Sequence, residues 1–298
     1  MPMTPHSLLS RRRFLGQSIS ALGISALYPL LPASRASGPE PAVPMRLLQH
    51  EIGISLYDTF DLLVDWNVDA VELSGNLGVD TDLWKFLIRT WRIVPSGDQV
   101  ALADLEGDAL AQKLTFSEAV ENTRLILRGL PEGTYDSREQ VLRMADRLNG
   151  IARSLAPHGM QLGVASQRSS FVPYSGELAW NILADHTDET IALQLSTADA
   201  GRAGVDVAAL LYRNAARTPS TRVRGFKAQD LNATIAVDDL DWTQIIRTSQ
   251  QIGTQFFVID SDRTEGDDFP SELFANLVTL RLKMTELGIK VPAGYWRY

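Results

Sequence analysis

Short runs rich in aliphatic and β-branched residues alternate along this chain with longer stretches whose apolar positions recur every three or four residues. The short runs are Ile52–Tyr57, Ala70–Leu73, Arg92–Ser96, Arg124–Leu127, Gln161–Ala165, Ile191–Ser196, Arg222–Phe226 and Phe256–Asp260. Turn residues bound each, as they bound the buried strands of a parallel sheet. The helical stretches are Thr81–Thr90, a pattern ending at Ser117–Asn122, Ser137–His158, Val207–Arg213, Trp242–Gln251 and Ser271–Leu287. The pattern is plainest in Ser137–His158. Val141, Met144, Ala145, Leu148, Ile151, Ala152 and Leu155 make one apolar face, Ser137 and Gln140 have capping-box spacing, and Gly159 supplies the stop. Eight strands, each followed by a helical or connecting segment, predict an α/β fold with a parallel sheet inside and helices outside. That number of units in about 250 residues is the size of a single-domain (β/α)8 TIM barrel. The alternative is an open doubly wound sheet, but no G-x-G-x-x-G follows any candidate strand, so a dinucleotide fold has no support.

The first residues do not follow this beat. Ser10-Arg11-Arg12-Arg13-Phe14-Leu15-Gly16 leads into an apolar stretch from Gln17 to Leu31, then Pro32-Ala33-Ser34-Arg35-Ala36-Ser37. A basic segment, an apolar segment and a small-residue cleavage site make a secretory signal. The adjacent arginines before Phe-Leu resemble the twin-arginine (Tat) export motif. The expected organisation is therefore a signal over 1–36, a Pro-rich linker over 37–48, the barrel over 49–290 and an aromatic tail over 291–298. The expected location is periplasmic or otherwise extracytoplasmic. Contact with a membrane is expected only through the signal, if it stays uncleaved.

The 298 residues carry 28 basic and 36 acidic side chains, a net charge of −8. Loss of residues 1–36 leaves 24 basic against 36 acidic, or −12. Such a chain is a poor partner for nucleic acid. There is no Cys, which excludes disulfides, thiolate metal sites, iron–sulfur clusters and a cysteine nucleophile. The four histidines are His6, His50, His158 and His186. No G-x-S-x-G, Walker loop or H-E-x-x-H occurs. The acidic cluster Glu265-Gly266-Asp267-Asp268 lacks calcium-loop spacing.

Several segments, in order, resemble the xylose isomerase-like TIM barrels, the sugar phosphate isomerase/epimerase group. Ile52-Gly53-Ile54-Ser55-Leu56-Tyr57 is similar to that family's first strand, and Val68-Asp69-Ala70-Val71-Glu72-Leu73 to its second. Leu148 to Gly163, Arg202-Ala203-Gly204-Val205-Asp206, Asp239-Leu240-Asp241-Trp242 and Phe257-Val258-Ile259-Asp260-Ser261-Asp262 resemble later family segments. The resemblance implies a sugar ligand at the carboxyl ends of the strands. It also implies a divalent cation such as Mn²⁺ or Mg²⁺, held by carboxylates and histidine, that polarises the ligand's oxygens while acids move a proton.

The residues that would hold that cation are largely replaced. The family's G-x-H-N-H-x-x-E-F matches Gly163-Val164-Ala165-Ser166-Gln167-Arg168-Ser169-Ser170-Phe171. Its E-L-D matches Gln194-Leu195-Ser196, and its H-x-K-D matches Gly225-Phe226-Lys227-Ala228. Its S-x-H matches Ser96-Gly97-Asp98, and the glutamate of its eighth strand matches Asp260. The expectation is no metal cofactor, with Mn²⁺ or Mg²⁺ as the alternative. Asp260, Glu72 and Lys227 are the candidate acid–base set. Gln167, Arg168, Gln194 and Ser196 are candidate ligand-binding groups, and Trp91 is a candidate stacking face. Two readings follow from the resemblance: a metal-free carbohydrate-binding relative, or an active isomerase, epimerase or lyase using Asp260, Glu72 and Lys227. A generic exported interaction domain is the third.

Overall fold

A computed structural model describes residues 45–46, 56–228, 230, 233–260 and 269–291. Its parallel strands close into a barrel ringed by helices. In chain order the barrel strands are β1 (Met45–Arg46), β2 (Ala70–Leu73), β3 (Val94–Val100), β4 (Arg124–Leu127), β5 (Gln161–Ala165), β6 (Ala192–Ser196), β7 (Ser220–Val223) and β8 (Phe256–Ile259). Seven of them form a continuous sheet, and the two-residue β1 closes it. Met45 pairs with Ile259 on one side and Val71 on the other, and Arg46 pairs with Glu72. A two-stranded antiparallel hairpin, Pro173–Tyr174 with Glu177–Leu178, sits in the connection after β5.

The described helices are α1 (Leu56–Asp65), α2 (Thr81–Trp91), α3 (Gly107–Ala119), α4 (Arg138–Leu155), α5 (Ala179–His186), α6 (Thr197–Arg202), α7 (Val207–Arg213), α8 (Trp242–Gln251) and α9 (Phe269–Glu286). Local chemistry starts and stops them. Ser137 Oγ accepts from Gln140 N at 3.2 Å to begin α4, and Gly159, at φ 67°, ends the turn that follows it. Val141, Ala145, Leu148, Ile151 and Leu155 bury the predicted face of α4. Asp80, Asp206 and Asp241 cap α2, α7 and α8 in the same way. Trp84 of α2 packs edge-on against Phe60 of α1 and Phe116 of α3, joining three helices over β2 and β3. Where α9 meets the end of α1, Phe274 lies 5.2 Å from Trp66, and Arg281 donates to the carbonyls of Trp66 and Asn67 at 2.6 Å each. Among the described residues no helix is long and apolar enough to cross a membrane.

The strand expected at Ile52–Tyr57 is corrected at its last two residues. Leu56 and Tyr57 open α1, and the first strand is Met45–Arg46, inside the 37–48 stretch read as a linker. Leu56, Phe60 and Leu63 recur at helical spacing, which puts Leu56 and Tyr57 in a helix instead of a strand. Strand β7 also ends earlier than expected, at Val223 rather than Phe226. The signal segment, His50, residues 52–55, the Glu265–Asp268 cluster and the tail from 292 lie outside the described residues.

The connection after β7 is built around Asp238. Its carboxylate accepts from Phe226 N at 3.2 Å and, through both oxygens, from Trp242 Nε1 at 2.9 and 3.0 Å. At Gly225 a Cβ would run into the Ala233 carbonyl, so the returning backbone passes where only glycine leaves room. Burial pushes the Asp238 carboxyl up to about 6, against the opposing pull of those donors. The folded chain thus holds this proton more tightly than the unfolded chain does. The group's contribution to stability is fully present below its ordinary value of 3.8 and is lost as pH rises through about 6. Asp238→Asn keeps an acceptor for Trp242 and cannot ionise. Melting curves from pH 4 to 7.5 are expected to show a smaller loss of Tm with rising pH in that variant than in the parent. Gly225→Ala is expected to lower unfolding stability by roughly 1–3 kcal/mol in urea titrations, because backbone must move to admit the methyl.

Candidate functional site

Period-two alternation along the strands sends one set of side chains outward to the helices and the other into the barrel. The outward set is aliphatic: Val71, Leu73, Leu125, Leu127, Leu162 and Val164 join the main core. The inward set is unusually polar for a barrel, whose interior layers are ordinarily branched aliphatics. Glu72 of β2 is fully buried. Gln99 Nε2 of β3 donates to its Oε1 at 2.6 Å, and Gln194 Nε2 of β6 donates to its Oε2 at 2.5 Å. Gln194 Nε2 also donates to Ser220 Oγ of β7 at 3.0 Å. One carboxylate therefore ties four strands across the interior. Nearer the amino ends of the strands, Arg124 bonds Gln161, Gln255 and the Ser96 carbonyl and lies 5.9 Å over the Phe256 ring.

Toward the carboxyl ends, β7 and its extension contribute two inward arginines. Arg222 donates Nε and Nη2 to Asp260 Oδ2 at 3.0 and 2.6 Å, both residues being buried. Burial works against the Arg222 charge, but Asp260, Glu72 and Asp199 outweigh it and hold its pKa above the ordinary value. Arg224 Nη2 lies 3.4 Å from Ser196 Oγ and 3.3 Å from Asp199 Oδ2, and Arg202 reaches Asp199 Oδ1 at 3.2 Å. Burial, reinforced by the neighbouring Arg222, lowers the Arg224 pKa. Ser166 Oγ accepts from Ser196 N at 2.8 Å, which links the ends of β5 and β6.

The connections around this rim are tied together. Leu130 N donates to Gln167 Oε1 at 3.2 Å, and Gln167 Nε2 donates to Ser169 Oγ at 2.8 Å. Tyr174 OH donates to the Tyr135 carbonyl, and burial pushes the Tyr135 hydroxyl up to about 12. Asp98 Oδ1 accepts from Gly75 N at 2.6 Å, with Lys113 Nζ 3.6 Å from Oδ2. Its carboxyl is raised by burial, against the pull of Lys113. Asp98 thus faces the helix layer and anchors the connection after β2.

The sequence-derived candidates fall into three groups. Glu72, Gln194, Ser196 and Asp260 come together inside the barrel. Gln167 and Arg168 sit on the rim; Gln167 braces the connections after β4 and β5, and Arg168 is exposed. Lys227 and Trp91 lie elsewhere. Lys227 is exposed, three residues past Arg224, in an isolated bridge with Asp230. Trp91 ends α2 before β3, toward the amino ends of the strands, and packs half-buried on the core. His158 and His186 are exposed, and His186 Nδ1 lies 2.8 Å from the Ile182 carbonyl of its own helix. Sequence reasoning missed Gln99, Arg222 and Arg224. The alternation in Ser220-Thr221-Arg222-Val223-Arg224 carried the signal for both arginines. Reading the strand through Phe226 hid it, because that placed Lys227 at the strand end.

The divalent cation implied by the resemblance does not fit these side chains. Both Glu72 oxygens accept from amides, and Asp260 is bound by a guanidinium. Among the described residues no three His, Cys, Asp or Glu side chains are grouped so as to hold a metal ion.

No protein-family model matches the chain, and no curated protein matches it in sequence. Its backbone does match solved structures. A sugar phosphate isomerase/epimerase from Parabacteroides distasonis ATCC 8503 superposes with a TM-score of 0.66 at 11% identity, over 83% of this chain and 98% of that one. An L-ribulose 3-epimerase gives 0.66 at 14% identity, over 83% and 96%. A probable 3-DHS dehydratase from Bacillus anthracis, involved in petrobactin synthesis, gives 0.63 at 13% identity, over 80% and 98%. At these identities the likeness is one of fold: the chain has the single-domain barrel architecture of the sugar phosphate isomerase/epimerase structures.

Proposed function

We propose that the mature chain is an exported, metal-independent carbohydrate-binding barrel, descended in architecture from the sugar isomerase/epimerase type. One observation carries this reading: Glu72 and Asp260 are engaged by amide and guanidinium groups of the protein instead of converging on a shared cation position. Protein-borne donors and acceptors at a barrel mouth bind and orient hydroxyl-bearing ligands without a metal. The ligand would lie over the carboxyl ends of the strands, where Gln194 bonds Ser220 and Arg224 approaches Ser196 between β6 and the β7 segment. A rearranged acid–base centre of Asp260, Glu72 and Lys227 has less support, since Lys227 is exposed beyond the strand end. Export rests on the arginine-led apolar segment at the start of the chain.

Elemental analysis of the mature protein, prepared without chelator, is expected to find no stoichiometric Mn or Mg, and titration of either ion to give no specific heat. Calorimetric titration with D-xylose, D-fructose, L-ribulose and D-glucuronate is expected to give saturable binding to at least one. About one tightly held divalent ion per chain would overturn the metal-independent reading. Replacing Arg11, Arg12 and Arg13 together by lysine is expected to retain the protein in the cytoplasm, read by fractionation; unchanged export would remove the Tat assignment.

A further inference from the structure

The amides of Gln99 and Gln194 each use one end on Glu72 and leave the other unmet. Gln99 is 5% exposed and Gln194 is 1% exposed. Each donates Nε2 to a different Glu72 oxygen, and each keeps a buried Oε1 with no hydrogen-bond partner. Rotating either amide by half a turn does not relieve this, because it sets carbonyl oxygen against carboxylate oxygen at about 2.5 Å. Glu72 therefore decides which way both amides face. Ser74 Oγ, two residues beyond Glu72, is also buried without a partner. Two unmet carbonyl oxygens thus flank one carboxylate, and a third unmet atom follows it at the end of β2. Buried polar atoms are nearly always satisfied by protein or by something bound.

The unmet atoms on the two amides are acceptors only, so the missing partner must donate. Paired O–H groups on adjacent carbons suit them, since each hydroxyl gives its hydrogen to one carbonyl and one of the two can take the single hydrogen of Ser74. We propose that Gln99 Oε1, Gln194 Oε1 and Ser74 Oγ are the floor of the ligand site and receive the vicinal hydroxyls of a sugar. Glu72 is the positioning residue that fixes both amides. This deepens the carbohydrate reading above and rests on it.

The test uses the full mature chain and whichever of D-xylose, D-fructose, L-ribulose and D-glucuronate binds. Gln99→Met and Gln194→Met are each expected to weaken binding at least tenfold. A crystal structure of the unaltered protein with that sugar is expected to place hydroxyl oxygens within about 3.2 Å of both Oε1 atoms. The crystal structure decides the matter alone if either variant fails to fold. If none of the four sugars binds, the carbohydrate reading falls and the floor with it. If a sugar binds but affinity in both variants stays within twofold, the floor is wrong and the carbohydrate reading stands. Ordered water left on both carbonyls beneath a bound sugar has the same meaning.

Discussion

A carboxylate sealed inside the barrel is the constraint on which the remaining structure depends. Removing a charge from water costs several kcal/mol unless hydrogen bonds and opposite charge replace the solvent. Glu72 meets that demand with Gln99 and Gln194, which hold β3 and β6 at fixed distances from β2, and Gln194 extends the tie to Ser220 on β7. Arg222 adds the opposite charge and is itself held by Asp260. Losing one member of a buried pair typically costs 3–5 kcal/mol, so the strands are coupled through their polar interior as well as their backbone ladder.

This interior is possible because the outer face of the sheet supplies the apolar burial. Leu, Val and Ile on the outward positions pack under Trp84, Leu148, Trp180 and Leu277 from the helices. Inside, Gly97 and Gly163 clear space for Ile126: a Cβ at Gly97 would come 2.5 Å from Ile126 Cδ1. The interior thus holds Ile126 together with Glu72, Gln99, Gln194, Arg222 and Asp260. The rim above is braced by Gln167, Tyr174, Asp98 and Asp238, each holding backbone of a connecting segment. Side chains on such a rim are set before any ligand arrives, which lowers the ordering cost of binding.

The solved barrels that superpose on this chain share its frame, and they include an epimerase and a probable dehydratase. A frame common to different reactions says little about any one of them. The chemistry here resides in which side chains occupy the strand ends, and those are amides, hydroxyls and guanidinium–carboxylate pairs.

Much of the fold was legible because it depends on local pattern. The ranges Ala70–Leu73, Arg124–Leu127, Gln161–Ala165, Val207–Arg213 and Trp242–Gln251 follow from periodicity and turn residues, and the structure has the same bounds. The first strand was not legible. Two residues, Met45 and Arg46, are held by pairing with β2 and β8, partners remote in sequence. The candidate site divides in the same way. Glu72 could be named from its place at a strand end, and Gln194, Ser196 and Asp260 from the family resemblance. That Gln194 reaches Glu72 across the barrel, 122 positions away in the chain, is decided only when the sheet closes. So is the replacement of Lys227 by Arg222 and Arg224 at the end of β7, since where a strand stops depends on its neighbours' hydrogen bonds as much as on its own residues. The sequence by itself determined the rhythm of strands and helices. Tertiary structure alone decided which polar side chains face one another, because register across a closed barrel is set by every strand together.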